Sequence, residues 1–281
     1  MPPSRKRAAL GVLFAAIALN ASLSAKPIAS QEDPAAKEPV DTSAPEAISH
    51  GVAAFKDTRY AAATLHFKKA LALDPKSTKA DLYLGITYAT QVVPNLDTPE
   101  NLATAKSAID ILKQIPEGAS EHLSALRQIA FLYHNTKRLD EAKATELEIL
   151  KLQPNDAAAH FTIGVIDWKQ AYNNAVGVLT TAGLTDDGMG NSKLSTSACQ
   201  QLREKNSALV KDGIDHLTRA IAVKPDHEDA MQYLNLSYRR QADFACGNNA
   251  KRTESLAQAD QWSSKAMAIR KQRQLATAST Q

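Results

Sequence analysis

The sequence is poor in the residues that large cores and membrane spans require. Aromatic residues make up only 5% of the chain, too few for one large central core, while alanine is abundant. Its longest apolar run, from Ala8 to Leu19, falls short of the roughly 20 residues that a membrane-spanning helix needs. This composition is consistent with stacked helices that approach each other through small residues.

The sequence also lacks the common patterns of catalytic and metal-binding sites. None of its seven histidines stands four residues from another, as on a zinc-binding helix, and no haem, phosphate-loop or serine-nucleophile motif occurs. The stretch from Asp186 to Asn191 faintly resembles a calcium loop, but it has neither alternating oxygen ligands nor a terminal glutamate, so a turn is the better interpretation. We therefore expect no metal site, no cofactor and no enzymatic activity.

Excess charge of one sign is missing as well. The formal net charge is +3, but three basic residues, Arg5, Lys6 and Arg7, lie in a segment that we expect to be removed. Without them, acidic and basic residues are equal in number. This balance argues against a nucleic-acid-binding protein, which needs a basic surface to contact phosphates.

The N-terminal segment has the order of a secretory signal peptide. A charged start precedes the apolar run, and small residues ending at Ala25 provide a cleavage site, so residues 1–25 are predicted to be removed. A retained anchor is the alternative, but it would need a longer apolar stretch. Residues 26–42 are rich in proline and charge and are predicted to be a disordered linker. We expect the mature protein to be exported, either periplasmic or secreted, without a membrane span.

A motif that closes a helix with proline returns along the rest of the chain, at Pro75, Pro116, Pro154 and Pro225. Residues of similar size stand at nearly the same offsets before each proline; before the first they are Gly51, Tyr60, Ala63 and Phe67. A helix-turn-helix unit of about 34 residues with a closing proline resembles the tetratricopeptide repeat. The resemblance implies an all-α, right-handed α-solenoid of about five repeats.

The predicted solenoid covers residues 43–273. Its repeats are 44–77, 78–116, 123–156, 157–225 and 226–273, followed by a disordered tail at 274–281. The fourth repeat carries an insertion at 173–206, with its second helix resuming at Ser207, and the turns within repeats two and five are also lengthened. In this architecture such turns lie along one edge, so the insertions predict a common rim. The rim is either a lid or partner-binding edge, or neutral surface elaboration.

The first helices of the repeats would line a concave groove, as the resemblance implies. The matching positions are mostly apolar or aromatic, with a more basic end: Ile48, Val52, Phe55, Leu82, Ile86, Arg127, Phe131, His134, Phe161, Val165, Trp168, Gln232, Leu236 and Arg239. Apolar residues at helical spacing also commonly pack between helices, so a core role is the alternative for each position. As a set, they suit an extended or helical apolar peptide.

The two cysteines, Cys199 and Cys246, fall on the same predicted edge of adjacent repeats. In an exported protein this placement favours a disulfide that pins the insertion. Two free thiols are the alternative, and a catalytic thiol would need a partner base that no spacing supplies.

We therefore expect a non-enzymatic scaffold that binds a protein or peptide of the cell envelope. The alternative is a periplasmic protein that encloses a small ligand beneath the 173–206 insertion, with Arg127, His134 and Arg239 as its polar groups. An enzyme that uses the insertion is a third reading. The sequence specifies no oligomeric state.

Overall fold

A computed structural model describes residues 39–278, so the predicted signal peptide, most of the predicted linker and residues 279–281 lie outside the described residues. Within 39–278 the chain forms ten helices and no strand. The helices are α1 (Ala44–Lys56), α2 (Tyr60–Leu73), α3 (Thr78–Thr90), α4 (Pro99–Leu112), α5 (His122–Asn135), α6 (Leu139–Leu152), α7 (Ala157–Thr181), α8 (Thr196–Val223), α9 (Glu228–Asp243) and α10 (Asn249–Ala278).

Each odd-numbered helix packs against the even-numbered helix that follows it, and each pair packs against the next pair. The predicted all-α solenoid of helix-turn-helix repeats is thereby confirmed. Within residues 39–278, each helix pair contacts only the pairs next to it in the chain, as expected of a repeat architecture. Among the described helices, none is long and apolar enough to cross a membrane.

The start of the solenoid follows from its local sequence. The Ser43 hydroxyl accepts a hydrogen bond from the backbone N–H of Glu46, and Pro45 occupies the first turn, where its missing N–H costs nothing. The Glu46 carboxylate accepts hydrogen bonds from the backbone N–H and the hydroxyl of Thr42, at 2.9 and 2.6 Å. These bonds hold Thr42, the last residue of the predicted disordered linker, at the start of α1. The predicted linker boundary at residue 42 is therefore too late.

The lengthened turn of the second repeat, residues 91–98, is held by one buried side chain. Asn101 accepts a hydrogen bond from the backbone N–H of Val93 at 2.8 Å and donates to the carbonyls of Val93 and Leu96. The turn also contacts the next repeat, where the Asn95 N–H donates to the Asn135 carbonyl and Lys137 pairs with Asp97. Two successive turns thus lie side by side along one edge.

In the fourth repeat, the non-helical segment is shorter than the predicted insertion at 173–206. Helix α7 continues to Thr181, and α8 begins at Thr196 instead of Ser207, so only residues 182–195 are not helical. Most of the segment assigned to an insertion therefore consists of extra turns on the two helices of the repeat.

Packing explains why these extra turns form despite many residues of low helix propensity. Ala175, Val178 and Leu202 form a small buried apolar cluster between the two extensions. Buried Asn206 donates a hydrogen bond to the Ala171 carbonyl at 2.8 Å and accepts one from Asn174. Tertiary contacts therefore override the weak local preference.

The last helix is also longer than expected. The sequence predicts its end at Arg273 and a disordered tail at 274–281, but α10 continues to Ala278. Arg270 and Arg273 pair with Glu228 and Asp226 at the start of the fifth repeat. These ion pairs join the C-terminal part of α10 to the first residue of α9 and to the turn before it.

Glycines on first helices allow large residues of the second helices to approach closely. A Cβ added at Gly51 would lie 2.5 Å from the ring of Phe67, and one added at Gly164 would lie 2.4 Å from Cγ of Leu217. Such distances are far below ordinary van der Waals contact. A first helix therefore requires glycine at this position, that of Gly51 and Gly164, where the facing side chain of the second helix is large.

Gly164→Ala is expected to lower the free energy of unfolding by about 1–3 kcal/mol, because the new methyl group overpacks the α7–α8 interface. Gly177→Ala on the same helix is the matched control, since a Cβ there meets nothing within 4 Å. That change should raise stability by about 0.5–1 kcal/mol through helix propensity. Urea unfolding measures both variants. Equal effects of the two substitutions would contradict the close approach.

Candidate peptide-binding groove

A gap separates the first helices of the third and fourth repeats. Helix α1 packs against α3, α3 against α5, and α7 against α9, whereas no Cα atom of α5 lies within 8 Å of one in α7. Between α5 and α7 lies a cavity of about 280 Å³, which we call the groove cavity. The solenoid thus opens at one point along its row of first helices.

Side chains from four helices line the groove cavity. They are Arg127, Ala130, Phe131 and His134 of α5, Glu146 of α6, Phe161, Thr162 and Val165 of α7, and Tyr233 of α9. Phe131 is 51% exposed, an unusual position for a phenylalanine next to other aromatic residues. The walls are therefore mainly apolar and aromatic.

The charged groups of the groove cavity largely satisfy one another. Arg127 pairs with Asp156 and also donates to Oε1 of Gln153 at 2.9 Å. Burial raises the pKa of Glu146 to about 7, and the Asp156 charge adds to this rise, although Arg127 and a hydrogen bond with Thr162 act in the opposite direction. Near neutral pH the cavity therefore carries little net charge.

The histidine of the groove cavity is also poorly suited to carry charge. Burial lowers the pKa of His134, and the nearby Lys169 charge lowers it further. A neutral imidazole adds a polar atom to the wall without a charge. An apolar or neutral group would enter such a cavity at a lower desolvation cost than a charged group would.

Solved structures with the same arrangement of helices identify the fold. MamA from Desulfovibrio magneticus RS-1 is 12% identical and aligns with a TM-score of 0.54 over 83% of this chain and 98% of its own. YrrB, described as a TPR protein with an unusual peptide-binding site, is 15% identical and aligns with a TM-score of 0.50 over 81% of this chain and 92% of its own.

This chain has the tetratricopeptide-repeat fold. A further MamA crystal structure supports the same assignment, with 15% identity and a TM-score of 0.53 over 82% of this chain and 93% of its own. No protein-family model matches the sequence, and no curated protein matches it either. At these identities the likeness is one of fold.

Five of the fourteen groove residues predicted from the tetratricopeptide pattern meet in the groove cavity: Arg127, Phe131, His134, Phe161 and Val165. Trp168 lies nearby on α7, half-buried, with its ring stacked on Tyr172 and edge-on to Tyr233. The predicted positions of the third and fourth repeats therefore lie together at or near the groove cavity.

The other predicted positions lie away from the groove cavity. Ile48 is buried in the core of the first repeat, because its side chain packs between the helices, so its assignment to an open groove is wrong. The remaining apolar positions are half-buried on α1, α3 and α9: Val52, Phe55, Leu82, Ile86 and Leu236. Of these, Val52, Phe55 and Leu82 pack against buried core residues. Gln232 is half-buried on α9.

Arg239 contacts the loop of the fourth repeat instead of an open groove. Its guanidinium donates to the Gly188 carbonyl at 2.8 Å and pairs with Asp260 of α10. The neighbouring Arg240, which the sequence did not single out, is buried between Asp186 and Asp243. The loop at residues 182–195 is therefore fastened to α9 by two arginines.

The structure joins Cys199 and Cys246 in a disulfide, with 5.4 Å between their Cα atoms. Cys199 is buried in the first turn of α8, and Cys246 lies in the turn before α10. The bond connects the fourth and fifth repeats along the edge where their internal turns lie.

Four lining residues were not predicted from the sequence: Ala130, Glu146, Thr162 and Tyr233. Ala130 and Thr162 directly neighbour the predicted Phe131 and Phe161. Glu146 lies on a second helix, outside the row of first helices from which the groove was predicted. Tyr233 lies on a first helix, directly after the predicted Gln232, and one position of error in helical register moves a side chain by about 100° around the helix. The aromatic side chain of Tyr233, next to Gln232 on a first helix, was the sequence feature that could have indicated this lining residue.

Proposed function

We propose that this chain is a non-enzymatic scaffold, exported to the cell envelope, that binds a peptide segment of another protein in the groove cavity. The observation that carries the proposal is the gap between α5 and α7, where half-exposed Phe131 faces a lining of aromatic residues. Apolar grooves on helical scaffolds bind extended or helical peptides through anchoring side chains.

The chemistry of the groove cavity suggests what the peptide presents. Its volume of about 280 Å³ suits one bulky side chain, and its walls are apolar with little net charge. We expect a leucine, phenylalanine or tryptophan anchor, with polar peptide groups near Arg127 and His134 at the margin. Anchors of this kind dominate the affinity of many interfaces.

Export is part of the proposal and rests on separate support. The predicted signal peptide lies outside the described residues, while the disulfide is typical of oxidising compartments. The alternative of a small ligand enclosed by the fourth-repeat loop has less support. Within residues 39–278, no residue of the 182–195 loop lines the groove cavity.

Phe131→Glu is expected to weaken peptide binding at least tenfold, because it places a charge on the apolar wall. Peptides would first be selected from a random displayed library on the unaltered protein, and their dissociation constants measured by fluorescence anisotropy. Leu65→Glu is the matched control, since Leu65 is 53% exposed on α2 and does not line the cavity. Selected peptides without a bulky apolar residue, or equal affinities for the two variants, would refute the proposed site.

A further inference from the structure

Three side chains that are far apart in sequence converge at the start of the solenoid. Asp41 precedes α1, His50 lies on α1 and His66 lies on α2. The two carboxylate oxygens of Asp41 lie 2.7 Å from Nδ1 of His50 and 2.7 Å from Nδ1 of His66. One ligand atom from each residue lies within 4.8 Å of the others.

The local fold holds these groups in place. Thr42 and Ser43, next to Asp41, take part in the hydrogen bonds that begin α1. The side chain of His66 is only 2% exposed, that of Asp41 is 5% exposed, and that of His50 is 30% exposed. Two of the three groups are therefore fixed inside the protein, and the third leaves a path from solvent.

We propose that Asp41, His50 and His66 bind one zinc ion. Imidazole nitrogens and a carboxylate oxygen are common zinc ligands, and three protein ligands with one open position form a recurrent zinc arrangement. The half-exposed side of the cluster, at His50, would supply the open position to water or to a partner's ligand.

To bind one zinc ion, the three ligand atoms, which lie within 4.8 Å of one another, must approach the separations of a tetrahedral site. A carboxylate accepts hydrogen bonds, so each Nδ1 atom donates its hydrogen to Asp41 in the observed arrangement. Zinc would bind the Nδ1 atoms in place of these two hydrogens; each neutral ring would then carry its hydrogen on Nε2, after proton exchange with solvent. With metal–ligand bonds of about 2.0–2.1 Å, neighbouring ligand atoms of a tetrahedral ion lie about 3.3 Å apart, so the ligating carboxylate oxygen would withdraw by about 0.6 Å from the ring that it now contacts at 2.7 Å.

The site differs from the groove cavity in position and in chemistry. The groove cavity lies among the third to fifth repeats, whereas Asp41, His50 and His66 lie in the first repeat and the segment before it. The proposed zinc site therefore does not depend on peptide binding. A zinc ion here would join the segment before α1 to both helices of the first repeat.

Zinc titration of the full chain, purified without a histidine tag, tests the proposal by isothermal calorimetry. We expect one zinc ion per chain, with affinity reduced at least tenfold by His50→Gln and by Asp41→Asn, since even outer-shell changes cost about 10–100-fold. His122→Gln is the control, because His122 lies at the start of α5, outside the cluster. The zinc affinity of the His122→Gln variant should equal that of the unaltered chain.

A spectroscopic measurement separates ligation from a structural effect. With Cu²⁺ as the probe, electron paramagnetic resonance should show imidazole nitrogen coupling that His50→Gln reduces, while circular dichroism confirms that the variant is folded. Absence of stoichiometric zinc binding would overturn the proposal. So would unchanged affinity in folded His50→Gln and Asp41→Asn proteins, or an equal loss in His122→Gln.

Discussion

Replacing Lys143 by methionine is expected to lower the free energy of unfolding by about 3 kcal/mol at pH 8. Lys143 of α6 lies 2.5 Å from Oδ1 of Asp167 on α7 and 2.7 Å from Oδ2 of Asp212 on α8. The Asp167 side chain is 0% exposed, and its second oxygen has no hydrogen-bond partner. Removing one partner of a buried ion pair commonly costs about 3–5 kcal/mol, because the other charge stays buried.

The pH dependence of this loss follows from the Asp167 carboxyl. Burial raises its pKa from an ordinary value of 3.8 to about 7, although the hydrogen bond and charge of Lys143 act in the opposite direction. Because the folded-state pKa lies above the unfolded one, the folded protein gains stability as pH falls from about 7 towards 4. When Lys143 is removed, Asp167 can take up a proton and lose its charge. The expected loss of unfolding free energy therefore lies at the lower end of the range of about 3–5 kcal/mol.

Urea unfolding of Lys143→Met at pH 8 and pH 5 measures the effect. The deficit should shrink at pH 5, where Asp167 is protonated in both proteins, and Lys143→Met/Asp167→Asn should recover part of it at pH 8. Lys211→Met is the control, since Lys211 pairs with Asp215 on an exposed surface and should cost less than about 1 kcal/mol. A deficit that does not change with pH would argue against a charged Asp167 at pH 8.

The sequence was sufficient to predict the repeats because their signals are local and periodic. Phe67 and Leu217 each lie eight residues before the proline that follows their helix, and that proline marks the end of the helix. Such signals specify helix pairs and their order. They also indicated the first-helix positions that converge at the groove cavity.

The features that the sequence did not predict depend on contacts between distant residues. The extended ends of α7 and α8 look like a loop from composition, and they become helical because Leu202 and Asn206 are buried against the opposite helix. Likewise, His50 and His66 have no metal-binding spacing along one helix. They meet only because α1 packs against α2.

The gap between α5 and α7 has the same kind of origin. No residue of either helix marks it, since α5 and α7 have small and apolar residues like those of the other first helices. Arg127, which pairs with Asp156, and Glu146 line the cavity in this gap, and the charges of Arg127 and Asp156 act on the Glu146 carboxyl. A single sequence shows these charges but not that they face one another.

Removing the disulfide with Cys199→Ala/Cys246→Ala is expected to lower the free energy of unfolding by about 2–4 kcal/mol. The bond spans a sequence separation of 47 residues. Closing a loop of this length limits the unfolded chain by up to about 4 kcal/mol in the chain-entropy account. Measured losses are commonly smaller where other contacts keep the same segments together.

Other contacts do hold this edge, and they determine how the loss is distributed. Arg240 pairs with Asp186 at 2.8 Å, Asn191 donates to Asp243 at 2.9 Å, and Arg203 donates to the Phe244 carbonyl. Burial raises the pKa of Asp243 to about 7, so this polar network is itself costly to bury. The disulfide compensates for that cost by keeping the two segments adjacent.

Urea unfolding of the double variant and of the reduced unaltered protein gives the total loss, and hydrogen exchange locates it. If the disulfide limits mainly the unfolded chain, amides of residues 186–191 should keep their relative protection while global stability falls. If the polar network cannot hold the edge alone, protection should disappear first at residues 186–191, because fewer apolar contacts support them than support the helices. A loss below about 1 kcal/mol with unchanged exchange would mean that Arg240 and Asn191 are sufficient to hold the loop.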